Sequence, residues 1–457
     1  MNNNNIFDEL LYNKTVFLNR EVLRPTYIPE VLPHRESQIN QLASILVSAL
    51  KEETPSNIFI YGKTGTGKTA VVKLIGKELE NKAKEITKNY QKQLLNLTVD
   101  QFENGHNDMF KSISEKLNFN DLFSDDINRL LKKSVNNIYI NCQHVDTQYR
   151  VLTHIANTVI SDWNERLPLT GLPTDEVYNR LLQSIDDLGG VTTIILDEID
   201  KLVEKSGDDI LYNLTRMNSD LKHAKASIIG ITNNLKFTDF LDARVKSSLG
   251  EEELIFTPYD AEQLQDILNQ RATIAFISDV VEPVVIPLCS ALAAQEHGDA
   301  RRALDLLRVS AELADRDGAG KVIEKYVRKA LNKIEQDTVA EVIDTLPPQS
   351  KLVLLGIILN EENGIQKLTT GMVFDTYKEL CKRLKMDTLT QRRVTDLISE
   401  LDMLGIINAR VVSFGRGGRT RLIEMSVPIH STKKILERTD LLKEVINFKP
   451  PIQATLL

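Results

Sequence analysis

Short apolar strings recur through the first part of the chain, separated by amphipathic stretches. Ile58-Phe59-Ile60-Tyr61, Asn137–Asn141, the run VTTIILDEID at 191–200 and SIIGITN at 227–233 are the length of buried strands and rich in β-branched residues. Between them the apolar positions take a helical period. Ile39, Leu42, Ile45, Leu46 and Leu50 form one stripe after His34-Arg35-Glu36, and Val151, Leu152, Ile155, Val159 and Ile160 form another across Tyr149–Asn164. A further helix runs to about Leu188 and is stopped by Gly189-Gly190. Alternating strands and helices predict an α/β domain with a parallel sheet. The helix after the 62–67 turn carries Leu74, Ile75 and Leu79 and then becomes charged. Residues 82–135, rich in Lys, Asn, Asp and Gln, read as an insertion, with short helices near 108–117 and 121–132. Residues 1–30 are mixed and partly extended, and Pro25, Pro29 and Pro33 break any helix.

The pattern changes near Tyr259. Helical spacing dominates from there to about Asn332, which predicts a small all-α lid domain. A linker at 337–350 holds Leu346-Pro347-Pro348. Three helices (350–360, 369–382, 390–403) and two strands (406–412, 420–425) joined by SFGRGGR then make the pattern of a winged helix-turn-helix. The domains are therefore expected at 1–258 (an α/β domain with an N-terminal extension, its G-x-x-x-x-G-K-[ST] run at 62–69 the pattern of a P-loop), 259–344 (the lid) and 345–457 (the winged helix).

Composition is ordinary for a globular protein, 42% hydrophobic and 26% charged, and no apolar run approaches the ~20 residues of a membrane span. MNNNNIFDELL lacks a secretion signal's basic and apolar regions. Cys142, Cys289 and Cys381 are too far apart for metal spacing or a disulfide framework, which points to a reducing cytosol. Charge changes the picture more. Residues 345–457 hold 17 Lys and Arg against 12 Asp and Glu, a net of +5, which leaves −13 for the rest of a chain of net charge −8. A basic module behind an acidic body is suited to meet a polyanion.

Candidate chemistry concentrates at the ends of the strands. Gly62, Lys63, Thr64, Gly65, Thr66, Gly67, Lys68 and Thr69, followed by Ala70, fit G-x-x-x-x-G-K-[ST]. Glycines let successive backbone N–H groups turn inward around phosphates, and the helix start adds free N–H groups and its positive dipole end. Lys68 is placed for the β/γ-phosphates of ATP or ADP, and the Thr69 hydroxyl for one Mg²⁺ position. Asp197 and Glu198 close an apolar strand at the edge where α/β proteins bind ligands. Asp197 is placed to hold Mg²⁺, and Glu198 to polarise the attacking water. Asn233 ends the next strand at the same edge. Arg244 is a candidate arginine finger, the alternative being a local salt bridge with Glu251, Glu252 and Glu253. Arg301 opens a helix that faces the nucleotide, while Arg302 points elsewhere. In the winged module, Thr390, Gln391, Arg392 and Arg393 begin the third helix, and Arg416, Gly417, Gly418, Arg419 and Arg421 form the wing tip. Both are basic ends suited to DNA grooves and phosphates.

Together these residues resemble the archaeal origin-recognition and replication-initiator family, the ORC–CDC type of AAA+ ATPase. The resemblance rests on LRPTYIPEVLPHRE at 23–36, YGKTGTGKT, YINCQHVDTQYRVL at 139–152, TGLPTDEVY, IILDEID, GITNNLKF, LDARVKSSLGEEE, YDAEQL and GDARRALDLLR, in that order. It implies that Asn233 is sensor 1, Arg301 sensor 2 and Arg244 a trans-acting finger. It also implies that the Tyr27–Arg35 segment, with Val31 and Leu32, lines the adenine side. Tyr259, opening YDAEQL, joins the nucleotide-binding set. Family members bind double-stranded origin DNA through the winged helix and through an extra helix, expected here within about 161–180. They help load the replicative MCM helicase and work beside paralogous initiator subunits. The expectation is a cytoplasmic, nucleoid-associated initiator with slow ATP hydrolysis. The alternatives are a DNA-binding regulator with nucleotide as structural ligand, or an AAA+ clamp-loading or remodelling subunit.

Overall fold

The computed structural model describes residues 15–103, 135–145, 147–365, 368–413 and 419–450, with the side chains of 90–103, 238, 413 and 419 outside that description. The chain forms two compact units divided between Val327 and Arg328.

The first unit is built on a five-stranded parallel sheet, β1 (Ile58–Gly62), β2 (Val135–Asn141), β3 (Gly190–Asp197), β4 (Ala224–Thr232) and β5 (Glu252–Phe256), in the order β2-β3-β4-β1-β5. β3 lies between β2 and β4, and every residue from Val191 to Asp197 is buried, as expected of a strand covered on both faces. β5 is an edge strand that the hydrophobic pattern does not announce. It buries only Leu254 and Phe256, too few alternations to stand out beside its acids.

The helices are α1 (Glu36–Leu50), α2 (Lys68–Glu103), α3 (Gln148–Val159), α4 (Thr174–Leu188), α5 (Ile199–Ser206), α6 (Asp209–Arg216) and α7 (Ala243–Leu249). On one side of the sheet Leu42, Leu46, Val71, Val72 and Ile75 pack against Ile58, Ile60, Ile195 and Ile229. On the other, Leu152, Ile155, Leu181 and Ile185 pack against Ile138, Ile140, Ile194 and Ile228. Each such buried aliphatic side chain contributes ~1.5–3 kcal/mol.

Two expectations change here. The phosphate-loop helix does not end near Leu79; α2 continues to Glu103, through residues whose types favour helix. It stays tied to the sheet, since Glu80 accepts from the Asn137 N–H at 3.1 Å and from its side-chain amide at 2.9 Å. The short helices expected at 108–117 and 121–132 lie outside the described residues. The helix expected across Tyr149–Asn164 ends at Val159, and the described elements between 161 and 180 are a 3₁₀ turn (Trp163–Glu165) and the start of α4.

α8 (Ala261–Ala275), α9 (Val285–Gln295) and α10 (Ala300–Arg316) follow in the same unit. α8 opens with a capping box between Asp260 and Gln263. The N-terminal segment is pinned to these helices. Phe17 stacks on Phe276 at 5.3 Å, the Val16 N–H donates to Asp315 at 3.0 Å, and the Leu18 N–H donates to the Ala275 carbonyl at 2.8 Å.

α11 (Glu324–Thr345) leads into the second unit, which adds α12 (Pro348–Glu362), α13 (Thr370–Arg383), α14 (Gln391–Met403) and α15 (Ile429–Leu436). The linker expected at 337–350 is helical as far as Thr345. The chain breaks only at Leu346-Pro347, and Pro348 then starts α12, where its missing N–H costs nothing. α12 is buried from Leu352 to Asn360 and forms the middle of the unit's core with Val373, Tyr377, Val394 and Ile398. β6 (Leu368–Thr369), β7 (Ile407–Ser413) and β8 (Arg419–Met425) form an antiparallel sheet in the order β6-β8-β7. This is a winged helix fold; β6 and α15 are additions to the expected pattern. Among the described residues, no helix is long and apolar enough to cross a membrane.

Candidate functional site

Sheet register decides which side chains meet. Asn141 pairs with Asp197, Asp197 with Ile231, and Tyr61 with Thr232, so four strands deliver their C-terminal ends to one edge. The loop 62–67 leaves that edge and α2 begins at Lys68. Gly65 (φ 71°) and Gly67 (φ 88°) are left-handed. A Cβ on Gly65 would fall 1.7 Å from an Asp299 carboxylate oxygen, and one on Gly67 2.9 Å from the Tyr259 hydroxyl. Thr66 is buried and its hydroxyl donates across the loop to the Lys63 carbonyl at 2.8 Å, while Lys63 and Thr64 are exposed.

Lys68 is 6% exposed. Its ammonium donates to the carbonyls of Gly62 (2.8 Å) and Lys63 (2.7 Å) and to Asn233 Oδ1 (2.8 Å). Burial lowers its pKa to about 8; Asp197 opposes the shift and Arg301 adds to it. The Thr69 hydroxyl donates to Asp197 Oδ2 at 2.8 Å, and Tyr139 on β2 donates to the same oxygen at 2.8 Å. Burial, then the bond to Asp197, pushes the Tyr139 phenol well above its ordinary value. Glu198 is left-handed (φ 57°, ψ 45°), a conformation that costs a non-glycine residue ~1–3 kcal/mol. Its carboxyl is raised by burial first, then by Asp197 and Asp200, against Arg301 and His144. The third acid of the run, Asp200, is buried and accepts from Thr232 at 2.7 Å, tying the start of α5 to β4.

The adenine-side candidates divide. Arg35 is 2% exposed. It bonds the Thr66 carbonyl (Nε, 2.9 Å) and the Thr257 carbonyl (Nη2, 2.7 Å), with its guanidinium 3.8 Å from the centre of the buried Tyr259 ring. It thus holds the phosphate loop from behind. Leu32 packs on the sheet core, whereas Val31 and Tyr27 are exposed. The Val31 carbonyl accepts from Gln270, and the Tyr27 ring lies 4.8 Å from the Arg271 guanidinium. Asp299 caps α10 through the N–H groups of Arg301 and Arg302, and the Ala300 N–H reaches the Gly65 carbonyl at 3.2 Å. Arg301 is exposed and close enough to bias both Lys68 and Glu198. Arg302 turns away to Glu296 at 2.8 Å.

Three family models cover most of the chain. The AAA domain matches residues 51–235, the Cdc6 AAA+ ATPase-type lid domain 265–332, and the CDC6 C-terminal winged helix domain 341–435. The chain is 51% identical to ORC1-type DNA replication protein 1 of Methanosarcina mazei over 449 residues, 98% of this chain and 96% of that protein. It is 52% identical to the ORC1-type DNA replication protein of Pyrococcus furiosus over 431 residues, 94% of this chain and 92% of the relative. The chain belongs to the ORC1-type DNA replication protein family. The Aeropyrum pernix ORC1 protein, solved in complex with DNA, matches with a TM-score of 0.73 at 42% identity, covering 94% of this chain and 99% of that one.

In this family member Arg244 meets none of the phosphate-loop residues. It is exposed, bonds Asp242 (Nε to Oδ1, 3.0 Å) and lies 5.1 Å from the Tyr212 ring centre. Its local partner is thus Asp242 and not Glu251–Glu253; Glu251 is taken by Asn57 at 2.9 Å and Glu253 by Tyr61 at 2.8 Å.

In the winged unit Thr390 caps α14 by accepting from the Arg393 N–H. Gln391, Arg392 and Arg393 are exposed, Arg393 with a distant Asp396 partner at 3.9 Å. Arg416, Gly417 and Gly418 lie outside the described residues, as does the side chain of Arg419. Arg421 turns inward: its guanidinium donates to the Ser399 hydroxyl on α14, so it braces the wing strand against the helix.

Sequence reasoning passed over Tyr139 and Asp299. Tyr139 carried no signal beyond membership of an apolar strand; the Asp299 capping role was legible from its place one residue before α10.

Proposed function

We propose that this chain is an ATP-dependent replication initiator that binds double-stranded origin DNA and helps recruit and load the MCM helicase, with slow ATP hydrolysis as the switch. The carrying observation is the bonded set Lys68–Asn233 and Thr69–Asp197 at one sheet edge, in a chain whose Aeropyrum pernix relative was solved on DNA. The residues fit a magnesium nucleotide. The buried Lys68 ammonium meets only neutral oxygen acceptors through its hydrogen bonds, an arrangement that gains strongly from phosphate anions. Thr69 and Asp197 supply hard oxygen donors. Among the described residues no cluster of three or more His, Cys, Asp or Glu stands ready for a metal, as suits an ion held by one or two protein groups and substrate phosphates.

In this reading the backbone of Gly62–Ala70 cradles the phosphates and Lys68 binds the β/γ oxygens. Thr69 and Asp197 would hold Mg²⁺, which when bound neutralises phosphate charge. Glu198 orients and deprotonates the attacking water, Asn233 positions Lys68, and Arg301 carries the phosphate state to the lid. Arg35 and Tyr259 support the loop, with Tyr27, Val31 and Leu32 beside the base. Arg244, exposed and engaged only locally, completes the site of a neighbouring paralogous subunit. An arginine so supplied is worth ~10³-fold or more in rate, so an isolated chain turns over slowly. Gln391, Arg392 and Arg393, with Arg419 and the 416–418 tip, meet DNA. The protein acts in the cytoplasm at the nucleoid.

Footprinting on the organism's own origin tests this, with ATP and with ADP, on the wild type and on Glu198→Gln. The expected outcome is a footprint that differs between nucleotides in both proteins and, with ATP supplied, persists in the ATP form in the variant, whose hydrolysis is lost. Footprints that ignore nucleotide in both would reduce the protein to a DNA-binding regulator.

A further inference from the structure

One face of α2 forms a polar seam with β2. Thr69, Lys73, Gly76 and Glu80 recur at helical spacing along it, and Asn137 and Tyr139, two apart on β2, share the facing side of the strand. The seam is continuous. Asn137 reaches Glu80 at 2.9 Å and the Gly76 carbonyl at 2.8 Å, the Lys73 ammonium lies 3.6 Å from the centre of the Tyr139 ring, and Tyr139 and Thr69 both end on Asp197 Oδ2 at 2.8 Å. The other carboxylate oxygen faces the Glu198 N–H at 3.1 Å. Asp197 is 6% exposed, so its orientation is set by these donors more than by water.

We infer that Tyr139 is a positioning residue for Asp197: its hydroxyl holds the carboxylate in the orientation that serves the divalent cation of a bound nucleotide. The inference rests on the magnesium-nucleotide reading of the loop. The Thr69 hydroxyl cannot do this alone, because the same oxygen is asked to serve the cation. Tyr139 reaches Asp197 from a different strand and a fixed distance. Its ring is held between sheet and helix beside the Lys73 cation, an attraction between ammonium and aromatic face. Outer partners of this kind typically matter ~10–100-fold in metal affinity.

The test uses the full-length chain, MANT-ADP fluorescence and a MgCl₂ titration begun in EDTA. Tyr139→Phe keeps the ring and the Lys73 contact and removes only the hydroxyl. It is expected to leave MANT-ADP affinity in EDTA at the wild-type value and to raise the Mg²⁺ midpoint by about tenfold. Lys73→Met, which leaves the hydroxyl in place, is expected to move the midpoint in the same direction by less. A wild-type midpoint in Tyr139→Phe overturns the inference, as does an equal loss of affinity with and without Mg²⁺, the sign of a merely structural role. A shift in Lys73→Met larger than that in Tyr139→Phe overturns it too. Wild-type binding that ignores Mg²⁺ instead removes the reading of the site on which the inference stands.

Discussion

Two helix N-termini in this protein are suited to negative charge, and they are built in opposite ways. At the start of α2, Lys68 is buried and bonded to Gly62, Lys63 and Asn233, with Arg35 holding the loop from behind. At the start of α14, Gln391, Arg392 and Arg393 stand in solvent, Arg393 with Asp396 at 3.9 Å, and Thr390 serves as the cap. Buried, mutually bonded groups act as a unit, because removing one leaves its partners unsatisfied in a low dielectric. Exposed cations act nearly independently, each worth one phosphate contact and each screened by salt. A site for one small polyanion can be specified by the first design; a surface that must travel along a long polyanion is suited by the second.

The largest break in this comparison is expected from Lys68→Ala. Isothermal calorimetry should find nucleotide affinity lower by about 100-fold, ~3 kcal/mol, since the charged donor is lost inside a buried set. Salt titrations of DNA binding sharpen the other side. Arg392→Ala and Arg393→Ala are each expected to lower the slope of log affinity against log salt by ~1, and together by ~2. Arg421→Ala is expected to leave that slope unchanged and to destabilise the winged unit by ~1 kcal/mol in a thermal or denaturant melt, because its guanidinium is spent on Ser399.

The smallest effect is a proton. Lys68 has its folded pKa depressed to about 8 from 10.5. Between those values the folded chain binds fewer protons than the unfolded one. The stability of the nucleotide-free protein therefore gains from this group as pH rises through that window, and its penalty is fully present below about 8. Phosphates favour the charged form, so nucleotide binding near pH 8 should take up a fraction of a proton. Calorimetry in buffers of different ionisation enthalpy reads this, and the uptake should vanish in Lys68→Met.

Legibility followed pattern length. β3 announced itself because seven successive residues are buried, and α14 because Val394, Leu397, Ile398 and Leu401 keep one face. β5 did not, since an edge strand buries only alternate residues. The extension of α2 past Leu79 was hidden because charged residues on a helix flank look the same as those of an insertion. The helix through 337–345 was hidden by the prolines just beyond it. The alternative pairing of Arg244 with Glu251–Glu253 does not form, because Glu251 and Glu253 serve Asn57 and Tyr61, Glu253 from an edge strand that the hydrophobic pattern does not display.

By itself the sequence determined the glycine loop with its lysine, the acids that end the third strand, the helical lid and the basic winged module. These follow from local spacing and from the family the chain belongs to. Only the tertiary structure decided who holds whom. Strand register brought Tyr139 to Asp197, the approach of the α10 N-terminus to the loop set Asp299 against Gly65, and the packing of α14 on the wing turned Arg421 inward. A contact between residues far apart in the chain depends on register and burial. Neither leaves a mark on the identity of a single tyrosine, aspartate or arginine.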